Sequence, residues 1–323
     1  MMKKQHKLWI LLLVVVMVTA LAGSGIAETI DWPTRTLEIV VPYNAGGDTD
    51  FHARTLAKYL EPILGQTIII TNMEGASGSA GMIDVIESKP DGNKMLYFHE
   101  SMLTNKVAEI TDFAHETLDL CAASVVDDSY VLVVDSQSPY QTLDELIAAA
   151  KAAPGDIAFA SSVSGYSFYL ARQLEEKAGI DLNVCDAGGT GDRNAALLSH
   201  KMQVTAHVYG GLKAYIDSGD FRILAALGEN RNPLFLDIPT AKELDLDLTG
   251  GRAYFLSFPK GTDPAIIAKM SQAIGQVCQD ETFILATQEA YMTTPSYLDT
   301  AELQARLDEN LAQLEANPSL LLN

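Results

Sequence analysis

The fold is decided by LEIVV at Leu37–Val41, followed by PYNAGGDTD at residues 42–50. The first stretch is apolar and β-branched and ends at Pro42, a pattern typical of a strand buried on both faces. Helical periodicity follows over residues 49–64 and stops at Gly65. A second strand at 67–71, a helix at 79–88 and a third strand at 94–98 follow in the same way. This order predicts a parallel sheet with helices on its faces.

The same alternation recurs in the rest of the chain. The pattern predicts strands at 130–135, 157–160, 182–185, 203–208 and 221–226, and helices at 143–153, 167–178, 192–200, 264–279 and 301–316. We therefore expect an α/β protein with two domains, each a mainly parallel sheet flanked by helices. No flexible linker separates the two units, which favours more than one chain crossing between them. The predicted first domain comprises 28–125 plus 251–323, the second 126–250, with hinges near 124–127 and 250–252.

Composition excludes several classes of function. The chain has 323 residues, of which 48% are hydrophobic and 20% charged, as in a globular protein with a core. Its formal net charge is −20, which argues against nucleic-acid binding because phosphate attraction needs a basic face. Three cysteines, Cys121, Cys185 and Cys278, are too few for a disulfide scaffold. They are expected to be buried thiols, although the sequence leaves one disulfide open.

The N-terminal sequence predicts an export signal. Lys3, Lys4 and Lys7 precede an apolar run at 8–22, which is shorter than a membrane span of about 20 residues. Gly25 and Ala27 then mark a cleavage site. We expect residues 1–27 to be a signal peptide and the mature chain to reside in the periplasm. An uncleaved N-terminal anchor is the alternative.

Four loops that follow predicted strands share a Gly/Ser/Thr-rich composition. They lie at residues 42–50, 72–81, 161–167 and 186–191. Each opens a helix, whose first N–H groups lack internal partners and carry positive partial charge. Ligands of open α/β sheets bind beyond the carboxyl ends of the strands, so these loops predict a site for a carboxylate or another oxyanion. Ordinary turn and cap chemistry is the alternative.

Motifs for catalysis or cofactor binding are missing from the sequence. It contains no G-x-G-x-x-G, P-loop, G-x-S-x-G, C-x-x-C, H-E-x-x-H or EF-hand pattern. Its six histidines are scattered without the spacing of metal ligands. We therefore expect no catalytic residue, no metal and no cofactor, and the protein is not predicted to be an enzyme.

A set of ordered motifs resembles the substrate-binding proteins of tripartite tricarboxylate transporters. That family opens with Trp-Pro, a strand and Pro-aromatic-x-x-Gly-Gly-x-x-Asp, and then has an Asn-x-x-Gly-Ala-x-Gly loop. The matching residues are Trp32, Pro33, Pro42, Tyr43, Gly46, Gly47, Asp50, Asn72, Gly75, Ala76 and Gly78. Further matches at 90–92, 154–156, 239–240 and 259–262 extend the resemblance over nearly the whole mature chain.

The resemblance implies a two-domain clamshell of the periplasmic-binding-protein type. It implies capture of a small organic acid and delivery to a membrane permease with one large and one small subunit, by a receptor that is a monomer. Carried over by position, the ligand-binding residues are Tyr43, Gly47, Thr49, Asp50, Gly75, Ala76, Ser77, Gly78, Ser101, Ser161, Ser162 and Ser164, to which we add Asp186 and Gly188 from the 186–191 loop.

The chain departs from the family pattern at two acids. Asp186 stands where the family often has a Pro-Tyr-Lys-Gly run, and Glu100 stands where small or hydroxyl residues are common. Two acids near the ligand would repel a second carboxylate and could accept an amino group, so the ligand is expected to be an amino acid, or a monocarboxylate with a donor at its far end, instead of citrate. The alternative is that both acids point to solvent. A receptor for a sensor or another transporter class, or an exported enzyme on the same fold, are the other functional readings.

Overall fold

The computed structural model describes residues 30–162 and 165–322. The predicted signal peptide at 1–27 and the predicted binding residue Ser164 lie outside these ranges. Within them, no helix has both the length and the apolar character needed to cross a membrane.

The described residues form eleven strands and ten α-helices. The strands are β1 (Leu37–Val41), β2 (Ile68–Asn72), β3 (Lys94–Phe98), β4 (Leu118–Asp127), β5 (Tyr130–Asp135), β6 (Ala158–Ser161), β7 (Asn183–Asp186), β8 (Val204–Val208), β9 (Phe221–Ala226), β10 (Arg252–Pro259) and β11 (Pro295–Leu298). The helices are α1 (Asp48–Leu64), α2 (Ser79–Ile86), α3 (Ser101–Val107), α4 (Leu143–Ala152), α5 (Tyr166–Ala178), α6 (Thr190–Leu198), α7 (Lys213–Asp217), α8 (Pro264–Val277), α9 (Glu281–Tyr291) and α10 (Thr300–Ala316). Short 3₁₀ helices lie at Ala76–Gly78, His115–Thr117, Tyr209–Leu212, Lys242–Leu244 and Pro318–Leu320.

Two sheets divide the strands. The first has the order β11-β4-β10-β3-β1-β2 and the second the order β7-β6-β8-β5-β9. β1 runs parallel to β2 and β3, as the βαβαβ pattern predicts, and β6 runs parallel to β7 and β8. The remaining pairs are antiparallel.

The α/β class is thus confirmed, but the sheets are mixed and not mainly parallel. The reason is the route of the chain. It leaves the first sheet at the end of β4 and returns at the start of β10, so these neighbouring strands run in opposite directions. The crossings at 127–130 and 226–252 lie close to the predicted domain limits, and the division into two domains stays a prediction.

The core is built on both faces of the central strands. β5 and β8 are buried at every residue, because helices cover both sides of the second sheet. In the first sheet, Leu96, Phe98 and Phe255 belong to a cluster that also takes in Phe168 of α5, which follows a strand of the second sheet. The two sheets therefore share packed side chains.

The three cysteines are free thiols. Cys121 and Cys278 are buried as expected, and Cys185 is half-buried. Burial raises the pKa of the Cys121 thiol, and raises that of Cys278 to about 12. These two thiols are therefore protonated at neutral pH.

A buried acid marks the first crossing. Asp127 ends β4, and its Oδ1 accepts a 2.8 Å hydrogen bond from the N–H of Ser129. Burial raises the pKa of the Asp127 carboxyl to about 6, with the bonds from Ser129 opposing the effect only in part. Ionised Asp127 therefore destabilises the folded chain at neutral pH.

We predict that Asp127→Asn stabilises the protein in a pH-dependent manner. The folded pKa of about 6 exceeds the usual 3.8, so the folded state binds more protons than the unfolded state between these values. The wild type consequently loses stability as pH rises from about 4 through 6. The variant should exceed the wild type by about 3 kcal/mol at pH 7.5 and match it near pH 4, as measured by urea unfolding. An equal difference at both pH values would contradict the assignment.

Candidate ligand-binding site

The loop between β1 and α1 is held by Asp50. This carboxylate accepts hydrogen bonds from the N–H of Gly46 at 2.9 Å, from Nε of Arg54 and from Nδ2 of Asn72 at 2.9 Å. Burial by itself raises the pKa of Asp50, but the bonds from Arg54, Gly46 and Asn72 outweigh it and hold the pKa below its usual value. Nδ2 of Asn72 also donates to the carbonyl of Tyr43. Asp50 therefore fixes the loop in place.

Two further predicted residues of this loop lie at the start of α1. Gly47 is the N-cap of the helix, and its carbonyl accepts the N–H of Phe51 at 2.9 Å. Thr49 is buried, and within the described ranges its hydroxyl has no hydrogen-bond partner.

The second predicted loop has an unusual backbone. Its four consecutive residues with positive φ are Gly75, Ala76, Ser77 and Gly78. Such angles cost on the order of 1 kcal/mol or more at a residue with a side chain, so tertiary contacts must impose the shape. Nδ2 of Asn105 donates to the carbonyl of Ser77 at 3.0 Å, and a Cβ on Gly78 would lie 2.7 Å from the ring of Phe98. The loop is therefore clamped between α3 and β3.

A buried guanidinium lies beside these loops. Arg252, at the start of β10, donates from Nη2 to the Asp48 carboxylate, from Nε to the Tyr254 hydroxyl at 2.9 Å and from Nη1 to Nε2 of His99 at 3.2 Å. The Tyr254 hydroxyl also donates to Asp48. Burial lowers the pKa of His99 to about 3, so this imidazole is neutral. Within the described ranges, Asp48 is thus the acid that balances the charge of Arg252.

Tyr43 lies near two guanidinium groups. Its ring stacks on His99 with centroids 5.5 Å apart. Burial raises the pKa of the Tyr43 phenol, opposed by a hydrogen bond with Ser101 and by the positive charges of Arg252 and Arg193. Two positive charges thus act on this phenol, one from β10 of the first sheet and one from α6.

Arg193 is a buried cation with no acidic partner. It is 7% exposed, and within the described ranges no carboxylate lies within 4.0 Å of it. Its Nη1 donates to the carbonyl of Ala206 at 3.3 Å and its Nη2 to the Thr190 hydroxyl at 3.4 Å, while Nε has no partner among the described residues. Burial lowers the pKa of this guanidinium, yet an arginine remains charged at pH 7. The positive charge is therefore uncompensated.

His207 orients the neighbours of Arg193. Its Nδ1 donates to the Val208 carbonyl at 3.0 Å, so Nε2 accepts the hydroxyl proton of Thr190 at 2.6 Å. Burial, with Arg193 adding to it, lowers the pKa of His207 to about 3. The imidazole is neutral and leaves the Thr190 oxygen free to accept from Arg193.

Residues from both sheets meet here. We call Tyr43, Asp48, His99, Tyr130, Arg193 and Arg252 the central cluster. Tyr130 starts β5, and its ring centre lies 5.4 Å from Cζ of Arg252. The ring of Tyr130 therefore faces Arg252, whose charge is balanced by Asp48. Arg193 supplies a second guanidinium, whose charge is not balanced. This arrangement suits an anion better than a cation, since a carboxylate can take both N–H groups of a guanidinium edge.

The predicted residues of the second sheet are largely engaged by the protein itself. Oγ of Ser161 donates to the Cys185 carbonyl at 3.1 Å, and the N–H of Ser162 donates to Oγ of Ser167 at 3.0 Å. These bonds engage Ser161 and the backbone of Ser162, of which Ser161 is buried and Ser162 is half-buried.

The 186–191 loop also satisfies its own donors. The N–H of Gly188 donates to Asp186 at 3.1 Å, and the N–H of Gly189 donates to Asp192 at 3.2 Å. Asp186 is exposed. Two amides expected to attract a ligand anion are thus already bonded to acids of the loop.

Glu100 is buried and does not point to solvent. Its carboxylate accepts the N–H of Ala253 at 2.7 and 2.9 Å and Nε of Arg306 at 2.9 Å. Burial raises its pKa, and Arg306 opposes that effect. Glu100 and Arg306 line a cavity of about 410 Å³ together with Asp127 and Tyr166. The carboxylate expected to receive an amino group already has partners.

Sequence reasoning did not identify Asp48, Arg193 or Arg252. One signal was available for Arg193, since it follows the first turn of α6, where a cation opposes the helix dipole. A cation that is unfavourable for its own helix indicates a role outside that helix. No group of three or more His, Cys, Asp or Glu able to hold a metal occurs in the described part of the chain.

Comparison with known proteins gives a consistent result. The family profile described as "Tripartite tricarboxylate transporter family receptor" matches residues 52–312. Protein BugT of Bordetella pertussis is 31% identical over 274 residues, which cover 82% of this chain and 84% of the relative.

Two solved structures share the fold. The periplasmic binding protein BugD matches with a TM-score of 0.81 and 23% identity over 90% of this chain and 100% of its own. MatC from Rhodopseudomonas palustris, solved with bound malate, matches with a TM-score of 0.80 and 22% identity over 89% of this chain and 100% of its own. The predicted periplasmic-binding-protein fold is confirmed.

We predict that Asp50→Ala lowers the free energy of unfolding by about 2–4 kcal/mol, because it removes one buried acceptor that the N–H of Gly46, Arg54 and Asn72 share. Asp84→Ala is the matched control. Asp84 is half-buried and bonds only to Lys94 among the contacts in the described ranges, so the loss should stay below about 1 kcal/mol. Urea unfolding at pH 7 measures both, and equal losses would contradict the role given to Asp50.

Proposed function

The chain belongs to the tripartite tricarboxylate transporter receptor family, and from this premise we propose that it is a periplasmic solute receptor that binds a small organic acid, a carboxylate or an amino acid, between two domains. It then delivers the acid to a tripartite tricarboxylate-type membrane permease with one large and one small subunit. The receptor acts as a monomer, without a cofactor and without catalysis. The family consists of receptors, which supports the non-enzymatic reading.

The observation that carries this proposal is the buried, unpaired Arg193. Moving a charge out of water costs several kcal/mol unless a partner compensates it, and no acid of the described chain does so. A carboxylate ligand supplies the missing charge. The hydroxyl of Thr190, which accepts from Arg193 and donates to His207, keeps the guanidinium in position to receive it.

Energetics favour a direct contact over helix dipoles alone. Micromolar affinity needs about 8.2 kcal/mol. A helix N-terminus contributes about 0.3–1 kcal/mol, whereas a hydrogen bond with a charged partner contributes about 1.5–3 kcal/mol. A two-point contact with Arg193 therefore outweighs the loop termini, and exclusion of water by domain closure supplies the remainder.

Domain closure is the second part of the proposal. With domains at 28–125 plus 251–323 and at 126–250, the contacts between them include the Tyr166 hydroxyl, which donates to the Gly251 carbonyl at 2.9 Å. The middle of the 3₁₀ helix at Gly210 lies so close to α9 that a Cβ there would be 2.3 Å from Cα of Tyr291. We expect the contact between Gly210 and Tyr291 to form when the two domains close.

Arg193→Met tests the ligand site. Loss of two charged hydrogen bonds should lower affinity for the bound acid at least 100-fold in calorimetry. The ligand-free variant should be as stable as the wild type or more so, because an uncompensated charge is removed. Arg222→Met is the control, since Arg222 bonds to backbone carbonyls at the opposite end of the second sheet.

The probes for this test are adipate, hexanoate, malate, 3-hydroxybutyrate, glutamate and glutamine, together with any acid that native mass spectrometry finds in the purified protein. Absence of binding to all of them, with no acid found, would overturn the proposed function. Equal binding by the Arg193 and Arg222 variants would overturn the role of Arg193.

Gly210→Ala tests closure. The added methyl should keep the domains apart, so ligand affinity falls at least tenfold while circular dichroism stays unchanged. Small-angle scattering should then show that the ligand no longer reduces the radius of gyration. Gly275→Ala is the matched control, because its Cβ meets Tyr297 at an ordinary 3.4 Å. Wild-type behaviour of the Gly210 variant would exclude this contact from closure.

A further inference from the structure

The charges of the central cluster bear on the kind of acid that fits. Among the described lysines and arginines, two are buried, Arg193 and Arg252. Arg252 lies 5.4 Å from the ring centre of Tyr130 at the start of β5, and Arg193 donates to the carbonyl of Ala206, which pairs with Leu132 two residues further along β5. Their positions make them the two places where an acid bound beside Tyr43 could find a full positive charge.

The charge of Arg252 is already neutralised within the protein. Each of its nitrogens donates to a partner, namely Asp48, Tyr254 and His99. Asp48 is itself 8% exposed and takes a second bond from Tyr254. An internal carboxylate therefore already supplies the negative charge that a ligand carboxylate would bring to this guanidinium.

The other buried acids do not alter this balance. Asp50 pairs with Arg54 and Glu100 with Arg306. Asp127 lies at the crossing between the sheets and Asp135 at the far end of β5, where it accepts the N–H of Gln137. One buried positive charge, that of Arg193, remains for the ligand.

From this charge balance we infer that the receptor selects acids with a single carboxylate, since Asp48 takes the place of a second one. The inference rests on the proposed function and narrows its ligand class. A dicarboxylate of the same length would bring its second negative charge toward Asp48 and find Arg252 already neutralised. An uncharged end avoids both penalties.

Asp48 is then a specificity-determining residue at the start of α1. The preference does not depend on the length of the acid, because it arises from the charge at its second end. Replacing the Asp48 carboxylate by an amide would release Arg252 as a second free cation. The cluster would then suit two carboxylates.

The experiment compares matched pairs of acids by calorimetry at pH 7.5. Each pair keeps the number of carbons and changes the second end from uncharged to charged: hexanoate and adipate, 3-hydroxybutyrate and malate, glutamine and glutamate, of which the last pair also keeps the shape of that end. In the wild type, the acid whose second end is uncharged should bind at least tenfold tighter than its partner in each pair that binds. In Asp48→Asn the ratio should shift at least tenfold toward the dicarboxylate.

Two controls keep the result interpretable. Asp84→Asn removes one surface charge and should leave the ratio unchanged. The double variant Asp48→Asn/Arg252→Gln removes both members of the ion pair and should not gain dicarboxylate binding. It therefore tests whether the gain in Asp48→Asn comes from the freed Arg252 or only from the loss of a negative charge. If Asp48→Asn does not fold, the wild-type ratios and the double variant decide the question.

The outcomes separate the two proposals. Tighter binding of the dicarboxylates by the wild type, or an unchanged ratio in folded Asp48→Asn, would overturn the inference and leave the receptor function standing. Binding of no acid at all would overturn the receptor function, and the inference with it.

Discussion

The ion pair between Asp48 and Arg252 holds the strand ends of the first sheet together. Asp48 begins α1 directly after the first loop, His99 follows β3, and Arg252 begins β10, the strand on which the chain returns to this sheet. A buried guanidinium has to satisfy each of its nitrogens, and doing so here requires these three segments to meet in one arrangement. The shape of the site next to Tyr43 follows from that requirement.

Arg193 presents the opposite situation on the second sheet. Its partners are a carbonyl and a hydroxyl at 3.3 and 3.4 Å, so its charge stays unbalanced in the free protein. In the proposed receptor, stability and binding are therefore coupled, because a ligand that binds only the folded, closed chain removes the cost of this charge. The contrast between a balanced and an unbalanced guanidinium gives the central cluster its selectivity.

The sequence predicted the local elements where their partners are close in the chain. β1, α1, β2, α2 and β3 lie within a residue or two of the predicted limits, because each has its own periodicity and its own Gly or Pro boundary. β10 went unpredicted although all eight of its residues are buried. Its neighbours β3 and β4 are more than a hundred residues away in sequence, and antiparallel pairing across that distance leaves no local pattern. The predicted parallel order fails at β4 and β10 for the same reason.

The sequence by itself determined the α/β class, the order of the loops that follow the strands, the family resemblance and an overall charge unsuited to nucleic acid. These properties depend on composition, periodicity and short motifs. The tertiary structure alone decided which charges balance one another. Asp48 and Arg252 are 204 residues apart, and Glu100 and Arg306 are 206 apart. Only folding shows that Glu100 is engaged, that Arg252 is neutralised and that Arg193 is not, because the energy of a buried charge is set by neighbours that the linear sequence does not specify.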